Sequence, residues 1–310
     1  MHPDVLFLVG PTASGKSAVA YELAQRLGGD IVSADSMQVY RGAPLLTQQP
    51  PREWQSRVPH HLIACRDVGE PWSAAEFCRS ALPLIAAIRS RNRLPLIVGG
   101  TGLYVRALLD GLCEAPAAHP EVRARVLAEV AARGADAVHQ RLASIDPVAA
   151  GRIHPHDVRR IVRAIEVFEV TGEPLSQRWR AQPRDTFPHA FAMIGLDCPR
   201  PELAARINAR VERMFAEGVV EEVRAISRHA LSRTAQQMLG LSLITDHLVG
   251  RLTLPETVQA VQHKTSQYAR RQLIWFRKET RIRWVPCDGR APADIAAQII
   301  SHQASLAAIS

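Results

Sequence analysis

Asp4-Val-Leu-Phe-Leu-Val-Gly10-Pro11-Thr12-Ala13-Ser14-Gly15-Lys16-Ser17-Ala-Val19-Ala-Tyr-Glu-Leu23-Ala-Gln-Arg-Leu27 decides the fold. Its centre, Gly10 to Ser17, fits GxxxxGK[ST], the phosphate-loop pattern. Asp4–Val9 is an apolar, strand-like run, and Val19, Leu23 and Leu27 mark one face of a helix from Lys16, closed by Gly28-Gly29. A loop between strand and helix is the setting the motif needs. Its glycines let consecutive N–H groups face one point, and the helix adds the positive end of its dipole. Lys16 brings a full charge to a terminal phosphate, and the Ser17 hydroxyl is a candidate Mg²⁺ ligand. The competing reading is a glycine-containing turn without a ligand.

Outward from this loop the alternation continues. Asp30–Ser33 and Pro95–Val98 read as further strands, so βαβ units and a parallel sheet are predicted. From Glu114 to about Pro188 no strand pattern appears. Val122, Val126, Leu127 and Val130 lie on one helical face, and Val158, Ile161, Val162, Ile165 and Phe168 form a second stripe, with Asp157 as N-cap and Gly172 just past the end. Ala190–Leu196 returns to a strand, a long helix follows with Ile207, Val211, Met214 and Phe215 on its apolar face, and Trp284–Cys287 is one more strand. The predicted fold is α/β: a P-loop-containing parallel-sheet core, residues 1–113 and 189–310, with a helical insertion domain, residues 114–188.

The 310 residues, 47% hydrophobic and 22% charged, exclude a disordered or collagen-like chain. The longest apolar run, Leu82–Ile88 with Pro83 inside it, is too short for a bilayer, and no secretory signal is visible, so a cytoplasmic protein is expected. The five scattered cysteines (65, 78, 113, 198 and 287) form no CxxC pair, against a disulfide framework or a cysteine zinc site. Net charge is +8, and residues 264–283 hold Lys264, Arg270, Arg271, Arg277, Lys278, Arg281 and Arg283 against the single Glu279, which points to a polyanionic partner. Nothing in the sequence calls for a protein partner, and a monomer is expected.

No acidic residue closes the strand Leu96-Ile97-Val98, which runs into Gly99-Gly100-Thr101-Gly102, so the pattern of a Mg²⁺-NTP enzyme is incomplete. The nearest carboxylate is Asp35, after the second strand and therefore at the carboxyl edge that also carries the phosphate loop. Spacing leaves open a metal ligand, a general base or a helix cap, with Ser36 an equal candidate for the cap. His60-His61 and His154/His156 lack carboxylate or cysteine partners at ligand spacing and read as structural. Arg159 and Arg163, four apart with Arg160 beside them, form a basic helical face suited to phosphates, or a solvated one. Arg123 lies on the polar face of the first insertion helix. Tyr268, Trp275, Phe276 and Trp284 interleave with arginines as stacking platforms do, although Trp275 and Phe276 fit a core equally well.

Several stretches together resemble the bacterial tRNA dimethylallyltransferase (tRNA isopentenyltransferase) family. They are the phosphate loop, Ser33-Ala-Asp35-Ser-Met-Gln-Val-Tyr-Arg-Gly42, Pro59-His-His-Leu62, Val98-Gly-Gly-Thr-Gly-Leu-Tyr104, Arg152-Ile-His-Pro-His-Asp-Val-Arg-Arg160 with Glu166-Val-Phe168, Thr171-Gly-Glu-Pro-Leu-Ser176, and Tyr268-Ala-Arg-Arg-Gln-Leu-Ile-Trp-Phe-Arg277. The resemblance implies transfer of a dimethylallyl group from dimethylallyl diphosphate to N6 of the adenosine just 3′ of a tRNA anticodon, with release of diphosphate. It implies that Gly10, Pro11, Thr12, Ala13, Ser14, Gly15, Lys16 and Ser17 hold the diphosphate with Mg²⁺. Asp35 would be the general base, Ser17 would sit near the Mg²⁺ and the bridging oxygen, and Arg210, rather than Arg206, would neutralise the departing diphosphate. The tRNA anticodon stem-loop would be met by Asp35, Ser36, Met37, Gln38, Thr101, Arg123, Arg159, Arg160, Arg163, Arg270, Arg271, Gln272, Trp275 and Arg277.

Two stretches depart from the family. Ala43-Pro-Leu-Leu-Thr-Gln-Gln-Pro50 stands where it has Asp-Ile-Gly-Thr-Ala-Lys-Pro, and Gly240-Leu241 where it has Gly-Tyr. Competing readings are prenylation of free adenine nucleotides, a small-molecule kinase or other NTPase, and a non-catalytic RNA-binding protein. The helical insertion and basic segment speak against the first, the missing strand-end carboxylate against the second, and intact Lys16, Ser17 and Asp35 against the third.

Overall fold

In the computed structural model, residues 3–112, 116, 119–181 and 187–307 are described. The chain divides into two units, residues 1–108 with 188–310, and residues 109–187. Cys113 and Glu114, where the sequence reading placed the first boundary, lie outside the described residues.

The larger unit is built on six strands: β1 (Val5–Val9), β2 (Gly29–Ser33), β3 (His60–His61), β4 (Leu94–Gly99), β5 (Phe191–Asp197) and β6 (Ile282–Pro286). Their order is β3-β2-β4-β1-β5-β6, and every pairing is parallel. β1 is central: all five of its residues are fully buried, as its unbroken apolar run requires of a strand covered on both faces. Because the strands are parallel, the residues following each one gather at a single edge. β3 has no pattern of its own. Its two histidines pair with Ile31 and Val32, a non-local choice that sequence periodicity does not show. β6 begins two residues before the predicted Trp284 and ends at Pro286, leaving Cys287 outside.

Helix α1 (Lys16–Leu27) starts at Gly15, φ 89°, and stops at Gly28, φ 63°, whose N–H donates to the Ala24 carbonyl; these are the predicted limits. The others of this unit are α2 (Arg52–Arg57), α3 (Ala74–Ser90), α4 (Gly102–Asp110), which runs to the unit boundary, and, after the helical unit, α10 (Arg200–Ala216), α11 (Val219–Ile226), α12 (Leu241–Leu248), α13 (Leu254–Phe276) and α14 (Pro292–Ala307). α3 and α13 open with capping boxes, Ser73/Glu76 and Thr253/Glu256. α13 carries Lys264, Arg270 and Arg271 of the basic segment, and Arg277, Lys278, Arg281 and Arg283 follow it. Its buried stripe is Thr257, Val261, Thr265, Ala269, Gln272 and Phe276.

The smaller unit contains α5 (Pro120–Arg133), α6 (Ala135–Ile145), α7 (Pro147–Ala150), α8 (Val158–Thr171) and α9 (Leu175–Ala181), with no strand among its described residues. The predicted stripes meet in its core, where Val122, Val126, Val138, Leu142, Ile161 and Ile165 pack together. Asp157 caps α8 through the Arg160 N–H, and Gly172 ends it at φ 72°. Buried Asp146 caps two helices: its Oδ1 accepts from the Ala149 N–H at 2.9 Å and its Oδ2 from the Ser176 N–H at 2.8 Å. Among the described residues no helix is long and apolar enough to cross a membrane.

Candidate active site at the carboxyl edge of the sheet

The phosphate loop leaves β1 and turns through positive φ at Gly10, Ala13 and Gly15. Its lysine lies back on the loop, Lys16 Nζ donating to the Pro11 carbonyl at 2.6 Å. Burial pulls the Lys16 pKa down to about 8; Arg210 pushes the same way, and Asp35 opposes both. Arg210, from α10, donates to Thr12 Oγ1 at 2.8 Å and is lowered to about 10 by burial, again opposed by Asp35. One carboxylate therefore faces two desolvated cations. Arg206, one turn earlier, is spent on neighbours: it pairs with Glu202 at 2.5 Å and donates to the Ser14 carbonyl at 3.4 Å and the Cys287 carbonyl at 3.2 Å.

Asp35 follows β2. Its Oδ1 accepts from the N–H groups of Met37 (2.8 Å) and Gln38 (3.4 Å), which fixes the carboxylate in a local turn. Thr101 comes from the loop after β4, and its hydroxyl accepts from the Ser36 N–H at 3.2 Å while its own N–H donates to the Ala34 carbonyl at 3.3 Å. The loops after β2 and β4 are thus joined to each other. Tyr104 and Tyr268 also feel Asp35, and burial pushes both phenols well above their ordinary range.

The glycines of Gly99-Gly100-Thr101-Gly102 are there for close approach. A Cβ on Gly100 would lie 2.1 Å from Gln272 Nε2, and one on Gly102 would lie 2.2 Å from the Trp275 ring. α13 therefore presses side chains directly onto this loop. Trp275 is half-buried there with the Arg106 guanidinium 5.0 Å from its ring centroid, and Phe276 is core. Neither is a bare stacking platform. Trp284 lies 4.5 Å under Arg277, which also pairs with Asp197 at 2.7 Å. Arg270 and Arg271 are exposed.

Gln272 differs most from expectation. It points inward: Oε1 accepts from the Thr12 N–H at 2.8 Å and Nε2 donates to the Gly100 carbonyl at 2.9 Å. The available signal was its place on the apolar stripe of α13, where a polar residue has to find partners inside.

In the helical unit the predicted basic face divides. Arg159 and Arg160 are exposed. Arg163 and Arg123 turn to the fully buried Glu166, at 3.0 and 2.6 Å, and a third donor, the His119 N–H, lies at 2.7 Å. A buried carboxylate requires such partners, which is why Arg123 and Arg163 do not share the free surface of Arg159 and Arg160. His61 pairs with buried Asp30 at 3.1 Å, beside Arg91 and Arg93, in keeping with a structural role.

No group of three or more His, Cys, Asp or Glu side chains is placed to hold a metal ion among the described residues. The donors at hand are the exposed Ser17 hydroxyl and the Asp35 carboxylate. Such a sparse oxygen set fits Mg²⁺ arriving on a diphosphate, where phosphate oxygens and water complete the shell, and does not fit a metal caged by protein alone.

A parallel sheet with this loop after its central strand places the chain in the phosphate-loop class of α/β proteins. Residues 38–279 match the family model described as IPP transferase, and residues 3–48 match one described as isopentenyl transferase. The chain is 46% identical over 292 residues to a tRNA dimethylallyltransferase of Anaeromyxobacter dehalogenans, covering 93% of this chain and 97% of that one. It is 44% identical over 283 residues to the one of Geobacter sulfurreducens, covering 91% of each. The crystal structure of the Bacillus halodurans tRNA isopentenylpyrophosphate transferase superposes with a TM-score of 0.69 at 36% identity over 98% of both chains. A eukaryotic dimethylallyltransferase structure, 24% identical with a TM-score of 0.78 over 96% of this chain and 77% of that one, shares the fold. The chain belongs to the IPP transferase family of prenyltransferases.

Proposed function

We propose that this enzyme moves a dimethylallyl group from dimethylallyl diphosphate to N6 of the adenosine 3′-adjacent to the anticodon of a tRNA, releasing diphosphate. The observation that carries the reading is the placement of Asp35 at the sheet edge that carries the phosphate loop, beside the Ser36–Thr101 link to the loop after β4 and within the field of both Lys16 and Arg210.

The N6–C1 bond forms as the C1–O bond to diphosphate breaks. The amine lone pair is shared with the purine ring, so it is a weak nucleophile until its proton is drawn off. Asp35 takes that proton; its Oδ1 is held by two N–H groups, which leaves Oδ2 as the oxygen to receive it. Such general-base assistance is typically worth about 10²–10⁴-fold. The loop amides, Lys16 and Arg210 neutralise the leaving diphosphate in a preorganised frame. The Ser17 hydroxyl would hold Mg²⁺ together with the diphosphate, and the ion would supply further charge neutralisation there. Thr101 and the Ser36–Gln38 turn border the nucleobase, which is extruded from the anticodon loop. Arg159, Arg160, Arg270 and Arg271 contact RNA phosphates, and Arg123 and Arg163 act through Glu166. The enzyme works as a monomer in the cytoplasm, where its substrate is found.

The test is incubation with dimethylallyl diphosphate, Mg²⁺ and unmodified tRNA, followed by nucleoside mass spectrometry and mapping of the modified position. Prenylated adenosine beside the anticodon is expected. ATP turnover without prenyl transfer overturns the reading.

A further inference from the structure

Gln272 stands where the pattern of α13 calls for an apolar residue, and it is 6% exposed. Both ends of its amide have a partner, in one orientation. Oε1 takes the Thr12 N–H of the phosphate loop, and Nε2 gives to the Gly100 carbonyl of the loop after β4. A flipped amide would set donor against donor and acceptor against acceptor, so the contact distinguishes its two ends. Gly100 makes the room, since a Cβ there would also lie 3.4 Å from the Gly10 carbonyl. Tyr268, on the preceding turn, lies close enough to Thr101 and Gln272 for both to influence its phenol. One side chain thus ties the diphosphate loop to the loop that carries Thr101, from a helix whose outer face holds Arg270 and Arg271.

We propose that Gln272 is a positioning residue that holds the donor loop and the acceptor loop in one register, so that the allylic carbon and the amine nitrogen meet at reacting distance. This rests on the function proposed above. It assigns to Gln272 no contact with RNA. The Thr12 N–H is committed to Gln272 and the Ser14 N–H to the Pro11 carbonyl at 3.4 Å, so the amides of Gly15, Lys16 and Ser17 at the start of α1 are the ones placed to turn toward a diphosphate. A loop set loose from its neighbour by an ångström or so still binds its own substrate but misaligns the pair, an error worth about 10²-fold in rate.

The discriminating variants are Gln272→Met, which keeps the shape and removes both bonds, and Gln272→Glu, which keeps an oxygen for Thr12 and removes the donor to Gly100. Steady-state and single-turnover kinetics are read with both substrates. The affinity for tRNA is read with and without an unreactive thiodiphosphate analogue of the donor. For Gln272→Met, kcat is expected to fall about 10²-fold, with tRNA affinity in the absence of donor within about threefold of wild type. Any tightening of tRNA binding by the analogue is expected to be lost. For Gln272→Glu, donor KM is expected to stay within about threefold while kcat falls at least about tenfold. Should Gln272→Met not fold, Gln272→Asn, too short to span both loops, takes its place with the same expected split. Weakened tRNA binding with an unchanged single-turnover rate at saturation would show an RNA contact and overturn the proposal, as would variants indistinguishable from wild type. If the wild-type enzyme transfers no prenyl group, the proposed function fails first and this inference with it; failure of the variants alone leaves that function standing.

Discussion

Asp35→Asn isolates the base from the geometry around it. The amide oxygen of Asn still accepts from the Met37 and Gln38 N–H groups, at 2.8 and 3.4 Å in the parent, so the turn after β2 persists. What disappears is a proton acceptor and one negative charge. Loss of the acceptor alone is expected to slow the bond-forming step by about 10²–10⁴-fold. Loss of the charge has a second, separable effect. Asp35 is the main influence that raises the pKa of Lys16 and of Arg210 against burial. Without it Lys16 releases its proton below the parent value of about 8, so the alkaline fall in donor affinity moves to lower pH. The assay is single turnover, enzyme in excess over tRNA, quenched and digested for nucleoside mass spectrometry across pH 6 to 10, beside direct measurement of donor binding. A rate within threefold of wild type would refute Asp35 as the base. A slow enzyme whose alkaline limb has not moved would refute the electrostatic coupling.

The remaining predictions concern other parts of the molecule. Because Lys16 is charged only below about pH 8 in the free enzyme, kcat/KM for the donor should be highest below that pH and fall as pH rises through it; Lys16→Arg should flatten the fall even at a lower rate, and an unchanged limb would place its origin elsewhere. Glu166→Ala strands Arg123 and Arg163 and should cost about 3 kcal/mol or more in urea unfolding; a loss confined to tRNA affinity would return those arginines to the RNA surface. Gly102→Ala drives a methyl to 2.2 Å from the Trp275 ring and should cost about 1–3 kcal/mol with a clear loss of turnover, measured by unfolding and by rate. Affinity for tRNA should fall steeply with salt, and less steeply in Arg270→Ala and Arg271→Ala; a flat profile would count against the basic face of α13.

The parts of the fold that local chemistry determines could be read in the chain. α1 lies between a phosphate loop and a glycine stop, so both ends were marked, and the stripes of α5 and α8 announced a helical unit without strands. β3 could not be read, because His60 and His61 become a strand only by lying against Ile31 and Val32. Among site residues, the phosphate loop, Asp35 and Thr101 follow three parallel strands, so their meeting at one edge was implied by topology. The inward turn of Gln272 was not. Nor was the capture of Arg123 and Arg163, because counting cations on a helix face overlooks an acid such as Glu166 three residues on, buried where no pattern marks it as charged. In both cases the deciding partner is distant in sequence or hidden in the core.

Asp146 gives the helical unit an unusual economy. Both of its oxygens are engaged, one at the start of α7 and one at the start of α9, so two helix beginnings share a single anion. Fraying at either end unsettles the anchor of the other. Local opening at the start of one helix therefore loosens the start of the other, a behaviour that amide exchange would register as matched opening of the Ala149 and Ser176 N–H groups.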